Sequence, residues 1–244
     1  MAVPVTEIFS SVQGEGLQVG CRQIFIRFYG CNLKCSYCDT TLSQKPALCR
    51  VETAPGHGLF EYLSNPLDAK EIIKVLEKLD VSLHHSISLT GGEPLLHTNI
   101  IRELAPALRR TRKGIYLETN GTLPDELSHV IDLVDVVAMD FKLPSISGFP
   151  PLWDKHGRFL EIAATKETFV KVVVAEQTTS GEIKLAAGLI KSTAPGVPLV
   201  IQPLTTRGAM GISPAHLIEL QRQALKVLDD VRVIPQTHKL MGML

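Results

Sequence analysis

Short apolar strands alternate with amphipathic helical stretches along almost the whole chain, and this order constrains the fold more than any other feature. Strands are predicted at Gln23–Tyr29, Ser86–Thr90, Ile115–Thr119, Val136–Phe141, Phe169–Val174 and Leu199–Pro203, with a short last one at Val231–Pro235. Strands separated by helices pair in parallel through βαβ units. Six such strands before the last one predict an α/β fold, an open and partial (β/α)6 barrel of the TIM type rather than a closed eightfold barrel.

Helix signals occupy most of the intervals between these strands. The first helix is predicted to begin at Pro66 with Asn65 as its cap, because an apolar stripe follows at Ile72, Ile73, Leu76 and Leu79. Further helices are predicted from Thr98 or Asn99 to about Arg110, over Pro124–Leu133, from Ser180 to about Lys191, and from Ser213 onward. Residues 41–64 show no regular pattern and are predicted to be an irregular excursion from a single domain spanning 1–244.

The composition favours a globular protein of the cell interior. The formal net charge is zero, which gives no indication of a nucleic-acid partner. No apolar run reaches the roughly 20 residues of a spanning helix, and residues 1–10 lack a basic region followed by an apolar one. Five cysteines, three of them clustered, fit a reducing compartment better than a disulfide framework. We therefore expect a cytoplasmic protein without a membrane or nucleic-acid partner.

Cys31, Cys35 and Cys38 have the spacing C-x3-C-x2-C directly after the first predicted strand. Three thiolates on one loop can hold three irons of a four-iron, four-sulfur cluster and leave the fourth iron free to bind a ligand. The same three thiols with a distant histidine can instead form a structural zinc site. Cys21, just before the strand, and Cys49, in a predicted loop, are interpreted as ordinary free cysteines.

Chemically versatile residues follow the predicted strands at their carboxyl ends, where active sites of barrel folds gather. Gly91-Gly92-Glu93-Pro94 follows the second strand, and its backbone carbonyls and carboxylate would suit an ammonium group. A plain glycine-rich turn between strand and helix is the alternative interpretation. Arg27 lies near the end of the first strand and can pair bidentately with a carboxylate, or form an ordinary surface ion pair.

Together, the cysteine loop and the Gly-Gly-Glu-Pro motif resemble the radical S-adenosylmethionine (SAM) superfamily. The resemblance implies that the free iron chelates the amino and carboxylate groups of SAM, and that one electron splits the sulfonium to release a 5′-deoxyadenosyl radical. It places Gly91, Gly92 and Glu93 at the amino end of SAM and Tyr37 at the adenine.

Within that superfamily the chain looks like the 7-carboxy-7-deazaguanine synthase family. The motifs that carry this likeness run in the family's order: Phe9–Gly16, Arg27, Cys38–Thr40, Leu89–Leu95, Glu118–Thr122, Asp140–Lys142 and Pro235–Lys239. The family converts 6-carboxy-5,6,7,8-tetrahydropterin into 7-carboxy-7-deazaguanine with loss of ammonia, regenerates SAM, and requires Mg²⁺.

The family resemblance also implies a set of site residues. The cluster ligands are Cys31, Cys35 and Cys38, and Thr40 is the Mg²⁺ ligand. The SAM contacts are Tyr37, Asp39, Gly91, Gly92, Glu93, Asp140, Phe141, Lys142, Gln202 and Pro203. The substrate contacts are Val12, Gln13, Gly14, Glu15, Arg27, Thr90 and His238, with a C-terminal segment near 235–244 covering the substrate.

The family further implies an external electron donor, such as a flavodoxin or ferredoxin, and a homodimer. Two other functions remain open at this stage. An activase that installs a glycyl radical on a partner protein would share the cysteine spacing and the Gly-Gly-Glu-Pro motif. A zinc-stabilised binding module would use the three cysteines and a histidine only to hold its structure.

Overall fold

The computed structural model describes residues 1–38, 44–206 and 208–244, and within them one ten-stranded sheet dominates. Its strands are Val5–Val12 (β1), Arg22–Phe28 (β2), Leu48–Ala54 (β3), Leu59–Ser64 (β4), Ser86–Gly91 (β5), Ile115–Thr119 (β6), Val136–Phe141 (β7), Glu167–Val174 (β8), Leu199–Pro203 (β9) and Val231–Val233 (β10). The spatial order is β10-β9-β8-β7-β6-β5-β2-β1-β3-β4. All neighbours from β10 to β2 are parallel, whereas β1 runs antiparallel to β2 and β4 antiparallel to β3.

Helices connect the parallel strands and complete a partial (β/α)6 barrel. The α-helices are Ala69–Glu77 (α1), Thr98–Leu108 (α2), Pro124–Ser128 (α3), Pro144–Ser147 (α4), Trp153–Ala163 (α5), Ser180–Thr193 (α6), Pro214–Leu225 (α7) and Thr237–Met241 (α8). Short 3-10 turns lie at Gly16–Gln18, Val81–Leu83, Pro94–His97 and Ile131–Leu133. Two-residue strand pairs join Ala2–Val3 to Leu67–Asp68, and Thr205–Thr206 to Ala209–Met210.

The predicted parallel strands are confirmed as β2 and β5–β9, with β10 as the short last one. Their residues are buried almost throughout, because helices cover one face and the barrel interior the other. The apolar core lies between sheet and helices. A smaller cluster of Tyr116, Val136, Ala138, Phe169 and Val200 fills the barrel interior. None of the helices among the described residues is long and apolar enough to cross a membrane.

The irregular excursion predicted for residues 41–64 is wrong for most of its length. Strands β3 and β4 form an antiparallel hairpin that extends the sheet, and Cys49 is a fully buried strand residue rather than a loop residue. Buried Glu52 interrupts the apolar pattern, but its carboxylate accepts hydrogen bonds from the backbone amides of Ser10 and Gly56. Strand β1, which bridges this hairpin to the barrel, was also not predicted. Residues 41–43 lie outside the described residues.

Several helix boundaries differ from the sequence prediction. Helix α1 begins at Ala69 rather than Pro66, because Asp68 and Glu71 form a capping box. Asn65 is not the cap, since its side-chain amide pairs with both backbone groups of Val5. The predicted helix Pro124–Leu133 divides into α3 and a 3-10 turn, and Thr179, not Ser180, caps α6. Helix α5 was not predicted.

Candidate active site

A cavity of about 820 Å³ opens at the carboxyl ends of the parallel strands, a volume in the usual range for small-molecule sites. Sixteen of the predicted site residues line this cavity: Val12, Gln13, Gly14, Glu15, Arg27, Cys31, Cys35, Tyr37, Cys38, Thr90, Gly91, Gly92, Asp140, Lys142, Gln202 and His238. They come from five strands, four loops and the C-terminal segment. The fold therefore brings together residues that span most of the chain.

Three predicted SAM contacts lie behind the cavity wall rather than on it. Phe141 is fully buried and stacks on His156 at 4.6 Å between ring centroids, and Pro203 is the buried last residue of β9. Glu93 is 0% exposed, so its side chain does not reach the cavity. A further predicted SAM contact, Asp39, and the predicted Mg²⁺ ligand Thr40 lie outside the described residues.

The buried Glu93 carboxylate orients two neighbouring segments. It accepts hydrogen bonds from the Leu95 amide at 3.1 Å, the Thr119 hydroxyl at 2.9 Å and the Asn120 amide at 2.8 Å. Burial raises the pKa of Glu93 to about 7, although these three donors favour the ionised form. The direct role of this glutamate is therefore to join the ends of β5 and β6.

Close packing between the end of β5 and the cysteine loop requires glycine at two positions. Gly91 has φ +111°, in the region that favours glycine, and a Cβ on Gly92 would overlap with the Gly30 carbonyl oxygen. Two backbone hydrogen bonds hold the segments together, from Gly92 N to Phe28 O at 3.0 Å and from Glu93 N to Gly30 O at 2.8 Å. The glycine pair thus sets the position of the loop that carries the cysteines.

We expect Gly92→Ala to displace the cysteine loop, because the added methyl has no space beside the Gly30 carbonyl. Iron and sulfide incorporated on anaerobic reconstitution should fall severalfold. Gly188→Ala is the matched control, since a Cβ there meets no atom within 4 Å and lies in helix α6, where alanine is favoured. Equal iron content in both variants would contradict the packing argument.

The donor set of the loop fits an iron–sulfur cluster. The three thiols all line the cavity, and burial raises the pKa of Cys31 and Cys35. Among the described residues, no group of three or more His, Cys, Asp or Glu side chains converges on a single metal position. In a cluster each thiolate would bind a different iron, whereas in a zinc site the thiolates would all bind one ion.

Charged residues of alternating sign cross the cavity floor. Lys171 forms an ion pair with Glu15 and a second, at 3.6 Å, with Asp140, and Lys142 contacts Asp140 at 2.8 Å and the Tyr37 hydroxyl at 3.2 Å. These contacts connect the loop that carries Glu15, the middle of β8, the end of β7 and the cysteine loop. Sequence reasoning missed Lys171, which lies within an apolar strand, Phe169–Val174.

The same pairing determines the ionisation of these groups. Burial alone would raise the pKa of Glu15, but the Lys171 ammonium and hydrogen bonds from Lys171 and Gln236 lower it to about 2. Burial would lower the pKa of Lys171, but the Glu15 and Asp140 carboxylates raise it. Both residues are therefore charged at neutral pH.

Two buried acceptors on the cavity wall have no hydrogen-bond partner in the described part of the chain, Asp140 Oδ1 and Gln202 Oε1. Buried polar atoms are normally paired, so an unpaired acceptor in a cavity indicates a ligand that donates hydrogen bonds. The ribose hydroxyls and the ammonium group of SAM are donors of this kind. The residues present therefore fit the cofactor that the sequence resemblance implies.

Glu118, on β6, is the centre of a second polar group in the cavity. Its carboxylate accepts hydrogen bonds from Gln13 Nε2 at 2.9 Å, Ser88 Oγ at 3.1 Å and Thr90 Oγ1 at 2.7 Å. The sequence motif that contains Glu118 was recognised, but no role was assigned to this residue. The signal available in the sequence was a carboxylate near the carboxyl end of a predicted parallel strand, Ile115–Thr119.

Arg27 lies at another end of the cavity with a second arginine that was not predicted. Glu7 accepts from Arg27 Nε at 2.8 Å and from Arg50 Nε at 3.1 Å, and all three residues line the cavity. Two guanidinium groups share one carboxylate, so these three residues carry a net positive charge. This end of the cavity is suited to an anion.

The C-terminal segment closes one side of the cavity. Thr237 N donates to Gly14 O at 2.9 Å, and Gln236 Nε2 donates to Glu15 Oε1 at 2.7 Å. A Cβ on Gly14 would overlap with the ring of His238, so glycine at this position permits the close contact. Leu244 also lines the cavity and accepts a hydrogen bond from Ser11 Oγ.

A partial (β/α)6 barrel with three cysteines after its first parallel strand, and a Gly-Gly-Glu-Pro strand end packed on them, defines the class of radical SAM domains. The family model described as Radical SAM superfamily matches residues 25–173, more than half of the chain. A solved structure described as QueE from Escherichia coli superposes with a TM-score of 0.59 at 20% identity, covering 97% of this chain and 94% of that one, and supports the fold.

Curated relatives narrow the class to one family. The chain is 46% identical to a 7-carboxy-7-deazaguanine synthase of Geobacter sulfurreducens, over 98% of this chain and 96% of the relative. It is 37% identical to a protein of the same name from Methanothermobacter thermautotrophicus, over 100% and 98%. The chain belongs to the 7-carboxy-7-deazaguanine synthase family, a family of radical SAM enzymes, and membership implies a four-iron cluster and SAM as cofactors.

Proposed function

We propose that the protein catalyses the radical-mediated ring contraction of 6-carboxy-5,6,7,8-tetrahydropterin to 7-carboxy-7-deazaguanine, with release of ammonia, in the biosynthesis of queuosine and related deazapurines. The observation that carries this proposal is the convergence of three thiols, an anion-binding end and the Glu118 group in one cavity. The full-length similarity to 7-carboxy-7-deazaguanine synthases supports it. A glycyl-radical activase and a zinc-stabilised module have no such support.

Cys31, Cys35 and Cys38 would hold the cluster, and the unpaired acceptors of Asp140 and Gln202, with Tyr37 beside Lys142, would bind SAM. When bound, these cofactors supply a carbon radical that removes a hydrogen atom from the substrate. Asp39, Gly91, Gly92, Glu93, Phe141 and Pro203 complete the proposed SAM set, with Glu93 acting through the backbone that it orients. The protein supplies position and exclusion of water.

The pterin ring edge offers several N–H donors, which the carboxylates of Glu118 and Glu15 can accept. Hydrogen bonds from Gln13, Ser88 and Thr90 fix the orientation of Glu118, and the ion pair with Lys171 keeps Glu15 ionised. The substrate carboxylate would bind at Arg27, where the net positive charge favours it. Val12, Gly14 and His238 complete the proposed substrate set, with the segment near 235–244 as its cover.

Mg²⁺ is a further part of the proposal, with Thr40 as a ligand, because Mg²⁺ prefers oxygen ligands and often completes its coordination with substrate oxygens and water. We expect Thr40→Ala to retain the brown cluster and the affinity for SAM. The Mg²⁺ concentration for half-maximal turnover should rise by about tenfold or more, as for loss of groups that support a metal site. Thr41→Ala is the matched control, and loss of the cluster in Thr40→Ala would contradict the assigned role.

The proposal has four remaining parts. They are an external one-electron donor of the flavodoxin or ferredoxin type, a single domain over residues 1–244, a homodimer and a cytoplasmic location. They follow from the family resemblance and the composition. Size-exclusion chromatography with light scattering measures the oligomeric state directly, and a mass of one chain would overturn the dimer.

Anaerobic turnover tests the proposed function. Reconstituted protein is incubated with 6-carboxytetrahydropterin, SAM, a reductant and Mg²⁺, and products are read by mass spectrometry. We expect 7-carboxy-7-deazaguanine and free ammonia. Cluster-dependent 5′-deoxyadenosine without the deazapurine would retain the radical chemistry and overturn the substrate.

A further inference from the structure

The side-chain amide of Asn120, the residue after β6, points at the Cys31 thiol. Its Nδ2 lies 3.7 Å from Cys31 Sγ and 2.8 Å from Asn32 Oδ1. An amide nitrogen has two hydrogens, so one can be donated to Asn32 and the other to the sulfur. The Leu33 backbone amide is a second donor to Cys31, at 3.4 Å.

The orientation of this amide follows from its other contacts. Asn120 Oδ1 accepts hydrogen bonds from both the backbone amide and the hydroxyl of Thr122. A flipped amide would direct its NH2 at these two donors, so the nitrogen has to face the sulfur. Asn32 Nδ2 donates to Thr122 Oγ1 at 2.9 Å, which closes a ring of hydrogen bonds between the three side chains.

The backbone also holds Asn120 in place. Its amide donates to Glu93 Oε2 at 2.8 Å, and Asn120 is itself 6% exposed. Because the Glu93 carboxylate is wholly buried, this anchor is shielded from water. The side-chain amide is therefore preorganised towards Cys31 before a cluster is bound.

We propose that Asn120 is a positioning residue that raises the reduction potential of the cluster through an N–H···S hydrogen bond to Cys31. Reduction adds one negative charge to the cluster and its thiolates, so a donor to sulfur stabilises the reduced form more than the oxidised form. Partners of metal ligands orient those ligands and tune the metal in the same way. The inference rests on the cluster that family membership implies and is independent of the substrate.

A redox titration of the reconstituted protein, followed by the electron paramagnetic resonance signal of the reduced cluster, tests this. Asn120→Ala should lower the midpoint potential by an amount equivalent to about a tenfold change in the equilibrium constant for reduction, ~59 mV for one electron. Thr122→Val is the matched control. It removes the hydroxyl from the hydrogen-bonded ring but keeps the Thr122 backbone amide and the donor at Asn120. Its potential should equal that of the unmodified protein.

A second, spectroscopic measurement tests the hydrogen bond in the unmodified protein, so the proposal can still be tested if Asn120→Ala fails to bind the cluster. Protein grown with asparagine labelled with ¹⁵N at the side-chain amide should show a hyperfine coupling between that nitrogen and the reduced cluster. The coupling should be lost in Asn120→Ser and retained in Thr122→Val. Absence of the coupling in the unmodified protein, or an equal shift of potential in Asn120→Ala and Thr122→Val, would overturn the proposal, whatever the substrate proves to be.

Discussion

Replacement of Cys35 by alanine should abolish both cluster assembly and SAM cleavage. Two thiolates would remain for a cluster that needs three from this chain. Loss of a group that hydrogen-bonds to a metal ligand typically lowers metal affinity or activity by about 10–100-fold. Loss of the ligand itself should therefore lower them by at least about 100-fold. The measurement is iron content and the yield of 5′-deoxyadenosine after anaerobic reconstitution.

Cys21→Ala is the matched control for that variant. Cys21 is a free, half-buried cysteine that does not line the cavity, so its loss removes one thiol from the chain without changing the site. Full iron content is expected. If the Cys35 variant kept a full cluster, the assignment of the three ligands would be wrong.

Replacement of Lys171 by methionine should have the largest effect on stability. The change leaves the carboxylates of Glu15 and Asp140, which are 23% and 15% exposed, without their shared ammonium group. Breaking a fully buried pair from one side typically costs about 3–5 kcal/mol, and partial exposure places this pair at or below the lower end of that range. Lys113→Met is the matched control, because the Lys113–Glu167 pair at 2.7 Å is about half exposed and worth less than about 1 kcal/mol.

The pH dependence separates this pair from a simple packing defect. The pKa of Glu15 is lowered from 4.5 to about 2 in the folded protein, so its stabilisation is complete above pH 4.5 and is lost as the pH falls towards 2. In the Lys171 variant, burial without the ammonium group raises that pKa instead. The difference in free energy of unfolding should therefore be largest at neutral pH and shrink continuously as the pH falls towards 2, as measured by denaturant unfolding. A gap that does not change with pH would contradict the electrostatic explanation.

Prediction from the sequence succeeded where the signal was local and repeated. The buried parallel strands read as short apolar runs, and the cysteine spacing lies within one loop of eight residues, Cys31–Cys38. It failed for β3 and β4, where polar residues such as Glu52 are paired across the fold and hide the strand pattern. It also failed for the start of α1, because Asn65 bonds to Val5, 60 positions away.

The site shows the same division. Arg27 was identified because it lies near the carboxyl end of a predicted strand and among the family motifs, whereas Arg50 and Lys171 also lie in strands but have neither signal. Their significance depends on which charges they meet, Glu7 for Arg50 and Glu15 with Asp140 for Lys171. Those contacts join residues 31 to 156 positions apart, and no short sequence window contains both partners.

By itself, the sequence determined the βαβ order, the cysteine loop and the family, because each is written in short-range patterns of hydrophobicity, glycine and cysteine. Only the tertiary structure decided that Glu93 acts from behind the cavity wall, that Glu118 is oriented by three donors, and that Asn120 faces a thiol. The physical reason is that hydrogen bonds and ion pairs depend on distance and direction between groups far apart in the chain, which the folded backbone alone brings together.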